Sequence, residues 1–281
     1  RLVERDSAQL KEYFLQGFIQ LNGKQAAHDQ RLKSGDEVLV SLPQHREAEV
    51  NTDWKLLWEN DELMAVYKPP LLPVSRTTRN LYHTLISLIR RETPYVDAHL
   101  LHRLDTETSG VMLIAKDKAA DKKWKKQLDT LMSKKIYHAW VYGQPEWEEL
   151  TLECLLAEKE GSLIRSQVYV VDDEKIDAFR KPKKSKTAFK VIEREAERSL
   201  IECEIFTGRK HQIRAQLAHL GHPVVGDKVY AHQGTYYLKR LNNPLTEEDY
   251  RLLGGDFHKL SAVYLELMLE GGVIKIESTM P

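Results

Sequence analysis

Three segments of the sequence carry side chains that could do chemistry together. The first, HRLDTETSG, places Asp105 between bulky residues and a turn rich in hydroxyl groups. The second, TGRKHQIRAQLAHLGHPVVGDKVY, contains Arg209 and Arg214, and the third, SKKIYHAWVYG, contains Tyr137 in a strand-like alternation. An ionised Asp can act as a nucleophile or as a general base, and a nearby aromatic side chain can stack on a flipped-out nucleobase.

Each of these residues also has a purely structural interpretation. Asp105 could cap its own loop, Arg214 could form a surface ion pair, and Tyr137 could pack across strands. Arg209 and Arg214 are five residues apart, so in a helix that begins by Lys210 they cannot share one stripe. One then faces solvent or phosphate and the other turns inward. An inward Arg214 needs an anion, and Asp105 would satisfy it while being held ionised.

Composition limits the classes of protein and of site. The 281 residues are 42% hydrophobic, and 42 basic residues balance 42 acidic ones, so any nucleic-acid contact must come from local patches. Cys154 and Cys203 show no CxxC spacing, which favours reduced core thiols over a zinc or redox site. No apolar run approaches membrane-spanning length, and the charged segment RLVERDSAQLKEYF does not resemble a signal peptide. These features predict a cytoplasmic protein.

The elements that must position the three segments follow from periodicity and turn residues. We expect a small unit at the N-terminus, with a helix over 8–19, an Asn-Gly hairpin at IQLNGKQ and a strand over 37–41. A polar linker over 43–53 places the boundary near residue 46, giving domains 1–45 and 46–281.

The larger domain has its own sequence of predicted elements. It begins with two strands in WKLLWENDELMAVYKPP, an amphipathic helix in LYHTLISLIRRE and a buried strand in GVMLIAK. A helix capped by Asp117 then runs through DKAADKKWKKQLDTLMSK, and the remainder alternates strands with one helix near RKHQIRAQLAHLG. The hydroxyls of Thr106 to Gly110 are expected to bond the local backbone and fix the Asp105 loop. The predicted class is α+β with a mixed, mainly antiparallel sheet and flanking helices.

The order and spacing of three motifs resemble one known family. HRLDTETSGVMLIAKD, KKIYHAWVYG and TGRKHQIRAQLAHLGHPVVGDKVY are similar to the core motifs of the RluA family of RNA pseudouridine synthases, over about residues 53 to 281. The resemblance implies the pseudouridine synthase fold, with Asp105 as the catalytic carboxylate, Arg214 as its basic partner and Tyr137 against the target base. It also implies that Arg103 fills the gap left when the uridine leaves its stack.

The implied reaction breaks the C1′–N1 bond of uridine and forms a C1′–C5 bond, with no redox change and no need for a metal or cofactor. Asp105 would attack C1′ or take the 2′ proton, and the sequence leaves both routes open. Two other classes also remain open: a non-catalytic RNA-binding protein that keeps the fold, and a carboxylate enzyme acting on nucleosides or sugars. VYKPPLLPVSRT departs from the family pattern, because Leu71 stands where Gly is usual.

The expected partner is structured RNA, either ribosomal or transfer RNA, bound by a monomer. Residues 116–135 contain eight Lys against three Asp, and RKPKKSK over 180–186 contains five basic residues. We therefore predict phosphate contacts, which are here assigned to Arg209, Lys125, Lys126, Lys183 and Lys184. The segment IQLNGK with RLKSGDEVLV resembles the latter part of an S4-like RNA-binding module, whose opening helix is here shortened or absent.

Overall fold

Two units make up the chain. The structure, a computed structural model, describes residues 7–41, 47–77 and 79–279. Its internal contacts assign residues 1–49 and 77–81 to one unit, and residues 50–76 and 82–281 to the other. The boundary predicted near residue 46 lies outside the described residues.

The first unit is a helix followed by a three-stranded antiparallel sheet. Helix α1 ends at Leu15, not at residue 19 as expected, because Gly17 takes a φ of 74° and the N–H of Phe18 donates back to the carbonyl of Tyr13. The predicted Asn22-Gly23 turn is confirmed, since both residues have positive φ as a two-residue hairpin requires. The elements of this unit are α1 (Ser7–Leu15), β1 (Ile19–Leu21), β2 (Lys24–Gln25) and β3 (Val38–Val40), and the strands lie in the sheet in the order β2-β1-β3.

The second unit is built on an 11-stranded sheet, and its mainly antiparallel character confirms the predicted class. Its path runs β10-β9-β11-β12-β8-β13-β7-β5-β4, with β14 paired to β13 and β6 to β7, and only β13 and β7 pair in parallel within the described strands. The strands are β4 (Lys55–Glu59), β5 (Leu63–Lys68), β6 (His99–Leu100), β7 (Ser109–Ala115), β8 (Met132–Tyr142), β9 (Glu149–Lys159), β10 (Val168–Val170), β11 (Phe179–Arg194), β12 (Arg198–Ile205), β13 (Leu260–Leu269) and β14 (Gly272–Glu277).

Helices cover both faces of this sheet. The helices are α2 (Leu85–Glu92), α3 (Lys118–Lys125), α4 (Leu128–Leu131), α5 (Gln212–His219), α6 (Thr235–Asn242) and α7 (Glu247–Leu253), with 3-10 turns at Asp173–Ala178 and Ala231–Gly234. Buried side chains alternate along β7: Met112 belongs to the apolar cluster that contains α2 and α5, and Leu113 to the cluster that contains α3 and α4. The two helix pairs therefore pack on opposite faces.

A further prediction about the helices was wrong, and two helices were missed. The helix capped by Asp117 stops at Lys125, and after the short α4 the chain enters β8 at Met132, because Leu131 and Met132 are buried against the sheet. Helices α6 and α7 were not predicted, although Thr246 and Asp249 form a capping box at the start of α7.

One glycine is required where the Asp105 loop enters the sheet. Gly110 has a φ of 111°, and a Cβ there would lie 2.1 Å from the carbonyl oxygen of Ala262 on the parallel strand β13. This close approach of the two backbones fixes the point at which the Asp105 loop joins strand β7. Within residues 7–41, 47–77 and 79–279, no helix is long and apolar enough to cross a membrane.

Candidate active site

A buried arginine joins two carboxylates at the centre of the site. The Nη1 of Arg214 donates to Asp105 Oδ2 at 2.7 Å, while its Nε and Nη2 donate to the two carboxylate oxygens of Asp227 at 2.6 and 2.8 Å. Arg214 is 7% exposed and Asp227 is fully buried, but Asp105 is 32% exposed. Asp227 thus holds the guanidinium in place, and Asp105 is the carboxylate that faces solvent.

The start of α5 explains why Arg214 points inward. The helix begins at Gln212, two residues after the start at Lys210 that the sequence analysis considered, so Arg209 lies in the preceding loop. Arg209 remains at the surface, where its Nε donates to the carbonyl of Lys184. The expected division between one outward and one inward Arg is therefore observed, with Arg214 on the buried side of α5.

The ion pair keeps Asp105 charged. Burial is the largest single influence and raises the pKa of this carboxyl, but the charge and hydrogen bond of Arg214, together with His211 and His258, outweigh it and the pKa falls to about 2. Arg214 likewise lowers the pKa of Asp227 well below its usual range, against the effect of burial. Asp105 is thus an ionised, partly exposed carboxylate at neutral pH, which is the state that a nucleophile or base requires.

Remote side chains anchor the Asp105 loop, rather than the local backbone bonds expected for its hydroxyls. The Thr108 hydroxyl lies 2.7 Å from His258 Nε2, and the Ser109 hydroxyl bonds Ser261. Glu107 accepts two hydrogen bonds from the buried ammonium of Lys228. The one local backbone bond described within the turn runs from the Thr108 N–H to the Asp105 carbonyl. Tertiary contacts therefore fix the carboxylate's position.

Lys68 ties a second loop to the same turn. Its buried ammonium donates to the carbonyls of Pro69, Leu72 and Thr106 at 2.8 to 3.0 Å. Burial, the largest influence, lowers the pKa of Lys68 to about 7, while the charge of Asp105 acts in the opposite direction. The Pro69–Leu72 turn is thereby held beside the residue that follows Asp105.

Leu71, the departure from the family pattern, adopts the left-handed conformation that Gly takes freely. Its φ is 66°. We expect Leu71→Gly to change the free energy of unfolding by less than about 1 kcal/mol, because relief of left-handed strain offsets the larger chain entropy of Gly. The fully buried Leu72 provides the control, since Leu72→Ala should cost about 2 to 5 kcal/mol. Denaturant unfolding measures both free energies of unfolding. A decrease for Leu71→Gly as large as that for Leu72→Ala would contradict the left-handed conformation of Leu71.

Tyr137 lies on β8 in the same apolar cluster as Leu104, the residue before Asp105. Its side chain is 9% exposed. Burial and the Asp105 charge raise its pKa well above the usual range, so the phenol stays neutral. The structure thus brings Tyr137, Asp105 and Arg214 together, as the sequence predicts, and a stacking role for Tyr137 stays a prediction.

The basic residues predicted to bind RNA are divided over the unit. Arg103 is exposed in the Asp105 loop, and Lys183 and Lys184 are exposed on β11, next to Arg209. Lys125 and Lys126 lie at the end of α3, on the sheet face opposite α5, and Lys125 is paired with Asp121. The structure therefore does not bring Lys125 and Lys126 to Asp105.

Sequence reasoning missed several residues of the site. His211 lies between Arg209 and Arg214 in the sequence, and its Nε2 is 3.8 Å from Asp105 Oδ2. Tyr230 bonds His211 and Asp227 bonds Arg214, and both belong to the quoted motif VVGDKVY. Their position inside this motif could have marked them as candidates for the site, but the pairing of Asp227 with Arg214 is visible only in the fold.

Comparison with known proteins places the chain in a family. Residues 62–219 match the family model described as RNA pseudouridylate synthase. The chain is 35% identical over 182 residues to the dual-specificity RNA pseudouridine synthase RluA of Vibrio parahaemolyticus, covering 63% of this chain and 68% of that protein. It is 28% identical over 228 residues to the mitochondrial tRNA pseudouridine(32) synthase of Saccharomyces cerevisiae, covering 81% of this chain and 48% of that protein. This chain thus spans about half the length of the yeast relative.

A solved structure supports the fold. Human RNA pseudouridylate synthase domain containing 1 superposes with a TM-score of 0.64 at 21% sequence identity, covering 84% of this chain and 87% of that one. At this identity the likeness concerns the fold alone. It agrees with the 11-stranded, mainly antiparallel sheet described above.

Proposed function

Since this chain belongs to the RNA pseudouridylate synthase family, we propose that it isomerises uridines of structured RNA to pseudouridine. The observation that carries the proposal is the ionised, partly exposed Asp105 held by the buried Arg214. Such a carboxylate suits attack on the sugar carbon of a nucleotide or removal of a neighbouring proton. Both oxygens of the buried Asp227 accept from Arg214, and one also accepts from the backbone N–H groups of Val229 and Tyr230, so Asp227 is not a second free carboxylate of the kind that glycosidases use.

The proposed reaction uses Asp105 at the sugar. The carboxylate attacks C1′ or takes the 2′ proton, the C1′–N1 bond breaks, the base rotates, and C5 bonds to C1′. Tyr137 packs against the base, because it lies in the apolar cluster next to the Asp105 loop. Arg214 keeps Asp105 ionised, and the exposed Arg103 occupies the space vacated by the flipped nucleotide.

We propose ribosomal or transfer RNA as the substrate, bound by one chain. The yeast relative is named for a tRNA position and the Vibrio relative for dual specificity on RNA, which supports this class of substrate. We further propose that the N-terminal unit, predicted to be S4-like, contacts the same RNA.

The cytoplasm is the proposed location. Cys154 and Cys203 are both free thiols, which suits a reducing compartment. The yeast relative is named as mitochondrial, so import into an organelle is the alternative. Imaging of the tagged full-length protein distinguishes the two locations.

A pseudouridine map tests the activity. Total RNA from cells with and without this protein is compared at nucleotide resolution, and purified protein is then incubated with transcripts that carry a C5 tritium label. We expect tritium release and a matching loss of mapped sites on deletion. RNA binding without tritium release would favour a non-catalytic protein, and activity on free nucleoside alone would favour a nucleoside enzyme.

The exposed lysines of β11 give a prediction about binding. Lys183→Ala with Lys184→Ala should weaken RNA binding across sequences and reduce the slope of log K against log salt by about 0.7 to 0.9 per lost phosphate contact. The matched pair Lys125→Ala with Lys126→Ala removes equal charge from the opposite sheet face. If both lysine pairs contact phosphates, as the sequence predicts, both double variants should have a smaller salt slope than the wild type. If only the pair beside Arg209 does so, only the Lys183→Ala with Lys184→Ala variant should have a smaller slope. Unchanged slopes in both would exclude phosphate contacts at these lysines.

A further inference from the structure

His211 occupies a position that the proposed reaction has not yet used. It precedes α5 in a left-handed conformation, with a φ of 55°, which is uncommon for a residue with a side chain. This conformation places the ring between Asp105 and Tyr230, at 3.8 Å from the Asp105 Oδ2 and 3.1 Å from the Tyr230 hydroxyl. The ring is 12% exposed, so the site's opening reaches it.

The hydrogen bonds of Tyr230 determine which ring nitrogen of His211 carries the proton. The hydroxyl accepts from the N–H of Val168 at 2.9 Å and donates its only proton to the carbonyl of Val168 at 3.0 Å. Its remaining lone pair must then accept from His211, so Nδ1 is protonated. The opposite arrangement would leave the buried Val168 carbonyl without this donor.

The other nitrogen, Nε2, therefore presents a lone pair toward Asp105. A lone pair and a carboxylate oxygen at 3.8 Å form no hydrogen bond with each other, and this leaves Nε2 free to take a proton from a third group. Asp105, Asp227, Lys210 and Arg214 are the charged groups acting on the ring. Burial and Arg214 hold the pKa of His211 at about 4, so the imidazole is neutral at pH 7.

The reaction needs a proton acceptor at this place. After C5 bonds to C1′, C5 still carries its hydrogen, and that hydrogen must leave before pseudouridine forms. Because Asp105 acts at C1′ or at the neighbouring 2′ position, C5 is delivered next to its carboxylate. Arg214 donates to that carboxylate, and the pKa of His211, about 4, lies above that of Asp105, about 2, so the imidazole is the stronger proton acceptor of the two.

We propose that His211 Nε2 is the base that removes the C5 proton. The C5–H electron pair forms the C5–C6 double bond, the N1–C6 double bond shifts its pair to N1, and N1 takes a proton from water. The imidazolium then returns its proton to solvent, so the net reaction is an isomerisation. This inference rests on the proposed function.

Single-turnover kinetics with protium or deuterium at C5 of the target uridine test it. His211→Ala should slow product formation by about 10²- to 10⁴-fold, as expected when a general base is lost, and should show a larger C5 isotope effect than the wild type. Added imidazole should restore part of the rate. His211→Gln retains polar contacts without a basic nitrogen and should remain slow, whereas exposed His219→Ala on the same helix should leave the rate unchanged.

The outcomes separate the two proposals. A wild-type protein that releases no C5 label from RNA would overturn the proposed function and with it this role. A wild-type protein that forms pseudouridine, with His211→Ala showing an unchanged rate, or a slow rate with an unchanged isotope effect and no imidazole rescue, would overturn the role of His211 alone. Thermal unfolding and RNA binding of each variant exclude misfolding as the cause, and His211→Gln serves if the Ala variant does not fold.

Discussion

Asp105→Asn is expected to abolish pseudouridine formation and to leave a folded protein that still binds RNA. The amide keeps the shape of the side chain but removes the anion, so neither attack on C1′ nor removal of the 2′ proton remains possible. Its oxygen can still accept from Arg214, and Asp227 still neutralises that guanidinium. Folding should therefore be retained.

The measurement is product formation at saturating enzyme, alongside thermal unfolding and an RNA-binding titration. Glu107→Gln is the comparison in the same turn, because it removes a carboxylate that already pairs with Lys228 and should reduce stability more than it reduces chemistry. Substantial pseudouridine from Asp105→Asn, with deamidation excluded by mass spectrometry, would show that this carboxylate is structural.

Replacing Arg214 should have the largest effect on stability. Arg214→Gln leaves the buried Asp227 and the partly buried Asp105 without a cation, and breaking a buried ion pair in this way costs about 3 to 5 kcal/mol at neutral pH. Arg209→Gln removes the same charge from the surface and should change stability by less than about 0.5 kcal/mol. Denaturant unfolding at pH 7 compares the two variants.

The pH dependence of stability should change sign in the same variant. In the wild type the pKa values of Asp105 and Asp227 are lowered, so their contribution is present above the ordinary carboxyl pKa and is lost as pH falls toward about 2. Without Arg214, burial raises both pKa values, and the folded state then binds protons that the unfolded state has released. Arg214→Gln should thus become more stable as pH falls from 7 to 5. A flat profile would contradict the assigned pairing.

The sequence by itself determined many of the elements and singled out the candidate carboxylate. Runs of strand-forming residues and turn residues specify β4, β5, β7 and the Asn22-Gly23 hairpin, because both signals are local properties of the sequence. The resemblance of the motif around Asp105 to a known family singled out that carboxylate, and the spacing of Arg209 and Arg214 indicated that one of the two points inward. The end of α1 and the break after α3 were not foreseen, since chain reversal and burial against the sheet override helical spacing there.

Only the tertiary structure decided how that carboxylate is held and assisted. Asp227 is 122 residues from Asp105 in the sequence, yet both meet on Arg214, and no local pattern encodes a bond between such distant side chains. His211 gains its place from a backbone conformation and from the hydroxyl of Tyr230, which depend on how α5 packs against β10. The separation of Lys125 from Asp105 follows from which sheet face α3 covers. The sequence specifies the residue types, but packing determines the distances between the side chains and their protonation states.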